Sequence, residues 1–157
     1  MGCRKGFRVR EEDSPYRLSV KLSKIDGFGV FAGRTILPRR KVMIYEGERL
    51  SFEDGAVRSW LALKRNPHVR TYIARVNRRW VIDGSVGGNG AERINHCCDP
   101  NVYFRRANGR IEIYSRRRIA KGEELTLDYQ FREEREAIPC HCGSLKCRGY
   151  MNRRLNR

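Results

Sequence analysis

Hydrophobic and polar positions divide the chain into many short strands and one helix. Tyr16-Arg17-Leu18-Ser19-Val20-Lys21-Leu22 alternates apolar and polar residues, the period-two pattern of a half-buried strand. Asp26-Gly27 turns the chain into a second apolar stretch at 28–32, and 42–46 reads as a buried strand. Phe52, Ala56, Trp60 and Leu63 recur at helical spacing over 52–65, and Asn66-Pro67 is a helix stop. Strands resume at 69–76 and 79–83 and lead into a glycine-rich loop at 84–90. Asn108-Gly109, between Val102–Ala107 and Arg110–Ser115, predicts a hairpin closed by a type I′ turn. Residues 1–15 are polar and broken at Glu11-Glu12-Asp13-Ser14-Pro15, the pattern of a flexible N-terminal tail. With no internal repeat, the expected class is a β-rich α+β fold of several small sheets with long functional loops.

Size and composition narrow the classes. A chain of 157 residues with 39% hydrophobic and 10% aromatic side chains suits one domain and is too apolar for wholesale disorder. No run approaches the roughly 18 apolar residues of a membrane helix, and no apolar signal core follows Met1. Gly2 opens a myristoylation-like start, but Gly6 stands where Ser or Thr is required.

Charge adds a partner class. Lys and Arg total 34 against 18 Asp and Glu, so 34 − 18 gives +16, and 27 of the 34 are Arg. Basic runs fall at Arg39-Arg40-Lys41, Arg78-Arg79, Arg105-Arg106, Arg116-Arg117-Arg118 and Arg153-Arg154. Such charge suits electrostatic contact with nucleic acid. No basic helix, helix-turn-helix or aromatic RNA-binding motif marks a dedicated reader.

The cysteines point to a metal. Cys140-His141-Cys142-Gly143-Ser144-Leu145-Lys146-Cys147 gathers three thiols around a glycine turn. Without a secretion signal a disulfide framework is disfavoured, and three thiolates need a fourth ligand to close a tetrahedral zinc site. His141 lies between two ligands and would point away, so Cys98 is the better fourth. That choice ties the C-terminal tail to the domain and leaves Cys3 and Cys97 as spare thiols.

Gly27-Phe28-Gly29-Val30-Phe31-Ala32 satisfies the dinucleotide pattern G-x-G-x-x-A, but Pro38 closes the space where its helix would run. Backbone approach to another ligand is the better account of the glycines.

Four segments then stand together: Gly27-Phe28-Gly29, Tyr45-Glu46-Gly47-Glu48, Asn95-His96-Cys97-Cys98-Asp99-Pro100-Asn101 and Gly122-Glu123-Glu124-Leu125-Thr126-Leu127-Asp128-Tyr129, followed by the cysteine tail. In this order they resemble the SET-domain protein-lysine methyltransferases with a cysteine-rich post-SET zinc tail. Trp80-Val81-Ile82-Asp83 before the glycine-rich loop is similar to the compact, bacterial-type members. The resemblance implies a SET domain over 16–131 with a C-terminal pseudoknot, threading 122–129 through a loop near 95–101, and a post-SET zinc tail over 132–157. It implies S-adenosylmethionine as methyl donor and structural zinc. Gly27, Phe28, Gly29, Tyr72, Asn95 and His96 would meet the cofactor. Tyr129 and Tyr45 would line the lysine channel as catalytic residues. Cys98, Cys140, Cys142 and Cys147 would hold zinc, and Leu127 would sit at the product-specificity position. The implied partner is a protein presenting a lysine, a histone or a histone-like, nucleic-acid-associated protein. The implied location is cytoplasm or nucleoid in a bacterium, and nucleus or chromatin in a eukaryote or for a delivered effector. Nothing in the sequence speaks to oligomeric state.

The chain departs from the family at three places. Glu92-Arg93 replaces Arg followed by an aromatic; either a nearby basic residue offsets the reversed charge or cofactor binding weakens. Cys97 replaces a serine, adding an oxidisable thiol. Two competing readings follow: a catalytically weak SET-like binding module, and a basic zinc-containing nucleic-acid-binding protein. A basic enzyme does not attract a basic tail, so Glu46, Glu48 or the cluster Glu133, Glu134 and Glu136 is expected to give local relief near a substrate groove. Third, Leu127 stands where the family has Phe or Tyr; it leaves space and cannot hydrogen-bond a channel water. Product analysis by mass spectrometry is therefore expected to find di- or trimethyl-lysine, and monomethyl-lysine alone would overturn the inference.

Overall fold

The computed structural model describes residues 6–66, 70–131 and 137–152. Pro67, Cys3, the cluster at 133–136 and Arg153-Arg154 lie outside the described residues.

Three small sheets enclose a main core and a smaller cluster of Val76, Ile82 and Ile111 under the third sheet. The first has five strands in the order β1-β2-β3-β11-β8: β1 (Phe7–Arg8), β2 (Ser19–Leu22), β3 (Phe28–Phe31), β11 (Glu124–Leu127) and β8 (Asn95–His96). The second orders β4 (Lys41–Ile44), β10 (Arg110–Ser115) and β9 (Val102–Ala107) as β4-β10-β9. The third orders β5 (Glu48–Ser51), β7 (Trp80–Asp83) and β6 (Ile73–Arg75) as β5-β7-β6. Leu18, Val30, Ile36, Met43, Ile113 and Leu125 meet in the main core, fully buried. Each such aliphatic side chain contributes roughly 1.5–3 kcal/mol of transfer free energy.

Residues 6–15 differ from the expected tail. Phe7 and Arg8 pair antiparallel with Val20 and Ser19, Val9 enters the core, and Ser14 is buried. A two-residue strand carries no periodicity, so its pairing was invisible in a polar stretch.

The hairpin matches expectation. Arg110 pairs with Ala107 around a turn in which Asn108 (φ 50°) and Gly109 (φ 70°) both adopt the left-handed conformation that type I′ requires. Helix α1 (Phe52–Arg65) also spans the expected residues, capped by Ser51, whose hydroxyl accepts from the Asp54 N–H at 3.0 Å. Its packing differs from the apolar spacing. Gly55 is the buried residue, because a Cβ there would lie 2.5 Å from Val81 Cγ2. Phe52, Trp60 and Leu63 are exposed. Close backbone approach to the third sheet, rather than an apolar stripe, seats the helix.

One long-range pairing organises the rest. β11 lies parallel to β8, with Thr126 opposite Asn95 and Leu127 opposite His96, and antiparallel to β3, with Leu125 opposite Val30. Asn101, 1% exposed, clamps it: its Oδ1 accepts from Thr126 N–H at 2.8 Å, and its Nδ2 donates to the Glu124 carbonyl at 2.7 Å and to Glu123 Oε1 at 2.9 Å. Asn101→Ala leaves buried groups unpaired at about 1–3 kcal/mol each. Chemical denaturation is expected to find the variant at least roughly 3 kcal/mol less stable; a loss under about 1 kcal/mol would contradict the clamp.

Candidate active site and metal centre

The β2–β3 turn carries the first group. Gly27 takes φ +48°, which favours glycine, and a Cβ there would meet the Arg70 guanidinium, itself paired with Asp26. Gly29 is required by proximity instead. The Glu124 carboxylate fills the space a side chain would take, with Oε1 2.0 Å from an added Cβ. That carboxylate accepts from Ser23 Oγ at 2.8 Å and from Asn95 Nδ2 at 2.9 Å. Asn95 Nδ2 also donates to the carbonyls of Asp26 at 3.1 Å and Phe28 at 3.3 Å. Ser23 in the β2–β3 connection, Glu124 on β11 and Asn95 on β8 thus hold the Gly27-Phe28-Gly29 turn. Asn95 braces the turn.

Three tyrosines gather beside it. The Tyr45 hydroxyl donates to the Tyr72 carbonyl at 2.6 Å, and the Tyr129 hydroxyl to the Ile94 carbonyl at 2.9 Å. Burial raises the Tyr45 pKa, and the Glu92 charge adds to the rise. Burial likewise pushes Tyr129 up to about 12, helped by Asp26. Both phenols stay protonated at neutral pH with their O–H groups already committed, so each offers lone pairs to a new donor.

Glu92-Arg93 is compensated internally. Glu92 accepts from Gly90 N–H at 2.9 Å and pairs with Arg93 Nε at 3.3 Å. Arg93 donates to the Tyr72 hydroxyl at 2.8 Å and lays its guanidinium over the Tyr72 ring, 4.7 Å from the centroid. The arginine thus stacks on one of the site tyrosines and neutralises the neighbouring glutamate. Leu127 is half-buried against the main core.

His96 joins this site to the cysteines. Tyr129 N–H donates to its Nδ1 at 3.1 Å, which places the ring proton on Nε2, 3.5 Å from Cys98 Sγ. Burial lowers its pKa, so the neutral ring bridges the two. Both ring nitrogens are engaged inside the fold.

Cys98, Cys140, Cys142 and Cys147 place their sulfurs within 4.8 Å of one another, and Cys98 and Cys140 are 3.7 Å apart. Tetrahedral zinc at ~2.3 Å from each thiolate separates its sulfurs by about 3.8 Å, so the four fit the ion. Arg148 N–H donates to Cys98 Sγ at 3.3 Å and Gly149 N–H to Cys147 Sγ at 3.4 Å, bonds that favour thiolate. His141 is exposed and outside the set; Cys97 is buried beside it, bonded to Asp99. A bidentate ion pair reinforces the tail: Arg148 grips Asp128 at 2.8 and 3.0 Å. Burial alone would raise the Asp128 pKa, but the guanidinium holds it below the usual carboxylate range.

Of the acidic residues expected to give relief, Glu48 pairs with Arg58 at 2.5 Å and shares it with Asp83, while Glu46 is exposed. Arg70, Arg93, Arg148 and Glu124 escaped sequence reasoning as site residues. Glu124 sat inside a recognised motif and gave a usable signal; the arginines were hidden among 27.

Residues 27–130 match the family model described as "SET domain", about two thirds of the chain. The chain belongs to the SET-domain family. It is 36% identical over 155 residues to "Histone-lysine N-methyltransferase trithorax" of Drosophila melanogaster, covering 93% of this chain and 4% of that protein. It is 39% identical over 134 residues to "Histone-lysine N-methyltransferase set-2" of Caenorhabditis elegans, covering 83% and 9%. It is 39% identical over 137 residues to "Histone-lysine N-methyltransferase, H3 lysine-4 specific" of Saccharomyces cerevisiae, covering 83% and 13%. The chain thus spans a small fraction of these relatives' length. All three are eukaryotic and lend the bacterial-type subgroup no support.

The SET-domain chain is expected to copurify with one zinc per molecule by elemental analysis. Cys98→Ser should lower that content and Cys97→Ser should leave it unchanged; the reverse pattern would reassign the ligands.

Proposed function

We propose that this SET-domain chain is an S-adenosylmethionine-dependent protein-lysine N-methyltransferase acting on a histone, with the histone H3 tail at lysine 4 as the first substrate to test. The observation that carries the reading is the convergence of Tyr45, Tyr72 and Tyr129 beside the braced Gly27-Phe28-Gly29 turn. The relatives' printed activities and the family match support it. In this reading 16–131 is the SET unit and 132–157 the zinc tail, and the protein works at chromatin or on a nucleoid-like complex.

The cofactor supplies an electrophilic methyl group on a sulfonium. Gly27, Phe28, Gly29 and Tyr72 would hold it; Asn95 and His96, expected at the cofactor, would act behind it, Asn95 bracing the turn and His96 accepting from the Tyr129 N–H. A lysine ammonium with pKa ~10.4 is not a nucleophile. Entry among buried aromatic side chains strips its water and lowers that pKa. Tyr129 and Tyr45 have spent their hydroxyl protons on the Ile94 and Tyr72 carbonyls, so they accept from the amine N–H groups and aim its lone pair. Their rings tolerate the methylammonium product. Arg93 and Glu92 keep Tyr72 in place.

Because the tyrosines stay protonated through neutral pH, the lysine governs the pH profile, and kcat should rise from neutral toward alkaline pH. With labelled donor and H3 peptide, Tyr129→Phe should lower kcat about 10²-fold or more, with a smaller effect on donor binding by calorimetry. Unchanged labelling would remove Tyr129 from the mechanism. No donor binding by the wild type would favour the binding-module reading.

A further inference from the structure

Two hairpin tips bring a group of unpaired arginines to one end of the molecule. The β6–β7 turn runs through Asn77, whose Oδ1 accepts from the N–H groups of Arg79 at 2.8 Å and Trp80 at 2.9 Å. The β9–β10 turn is Asn108-Gly109. Arg49 connects the tips: its Nη1 donates to the Gly109 carbonyl at 3.1 Å, and its guanidinium lies 5.1 Å from the Trp80 ring centroid. Arg75 stacks on Phe52 at 4.7 Å, and Arg106 stacks on Phe104 at 4.4 Å while its Nε donates to the Arg75 carbonyl at 2.7 Å. Arg78, Arg79 and Arg110 stand exposed around these three stacks.

Among the described residues, none of these six arginines forms an ion pair, although Arg10, Arg17, Arg58, Arg70, Arg93, Arg105, Arg117 and Arg148 all do. Burial lowers the Arg106 pKa and the neighbouring Arg75 charge lowers it further, as expected for cations gathered without a counter-charge. An aromatic ring under a guanidinium fixes its plane and leaves N–H edges free, which pre-organises the fork that grips phosphate oxygens. The arginines sit on paired strands and tight turns, so little entropy is lost in fixing them.

We infer that the end of the molecule formed by the 77–80 and 107–110 tips is a docking surface for the phosphate backbone of duplex DNA. Three features favour DNA over an acidic protein. The contacts are all guanidinium and carry no companion lysine or hydrogen-bonding pocket. The exposed rings beside them, Trp80 and Phe52, have a face occupied by arginine, so no apolar anchor remains for a protein partner. Phosphate contacts without base readout also agree with the absence of any DNA-reading motif. The inference stands apart from methyl transfer, because binding is read with neither donor nor lysine substrate present.

The test is fluorescence anisotropy of a labelled short duplex across a salt series, with the wild-type chain and two triple variants. Arg78→Gln, Arg79→Gln and Arg110→Gln remove side chains that make no hydrogen bond or ion pair among the described residues, so folding is preserved and is checked by thermal melting. Lys24→Gln, Arg34→Gln and Lys121→Gln remove the same charge from exposed positions elsewhere. The patch variant should lose roughly tenfold or more in affinity at ~0.1 M salt, and its log–log salt slope should fall by about three, about one per contact removed. The control variant should stay within about twofold of wild type. Equal weakening of both variants would make the binding a property of net charge and overturn the surface. So would no wild-type binding, or displacement of the duplex by polyglutamate at equal charge.

Discussion

The parallel pairing of β11 with β8 is the constraint on which the rest of this SET domain depends. It joins segments about thirty residues apart, so its closure entropy must be met by contacts that form only when both are in place. Asn101 supplies them on one side by holding the Glu124 and Thr126 backbone. Glu124 supplies them on the other by reaching Ser23 and Asn95. The same strand then delivers Leu127, Asp128 and Tyr129 to the site. Fold closure and site assembly are therefore one event.

His96 extends that logic toward the tail. Its ring touches the Tyr129 backbone on one edge and Cys98 on the other, so the cysteine cluster and Tyr129 share a support. Arg148 repeats the link by donating to Cys98 Sγ and gripping Asp128. A tail of three cysteines could bind metal in any orientation. Anchoring through Cys98, His96 and Asp128 gives it one.

Charge is distributed by the same packing. Two carboxylates near the site are paired with arginines, Glu92 with Arg93 and Asp128 with Arg148, while Glu124 is held by the uncharged donors Ser23 and Asn95. Part of the excess positive charge lies at the hairpin tips, where aromatic rings rather than carboxylates support Arg49, Arg75 and Arg106.

Local chemistry was readable without coordinates. The Asn108-Gly109 hairpin and the 52–65 helix follow from turn geometry and periodicity, properties of short segments, and the four-cysteine cluster follows from metal stoichiometry. The order of five motifs identified the family. Sequence could not show that residues 7–9 add a strand, because two paired residues have no period. Nor could it show that Gly55 rather than Trp60 faces the sheet, because apolar spacing does not register backbone approach. Sequence left open whether the Glu92-Arg93 charge reversal is offset; Arg93 pairs with Glu92 and stacks on Tyr72, a contact across 21 residues. Which of the described arginines are neutralised and which stand free was decided only by tertiary structure, because charge pairing depends on distance in space and not along the chain.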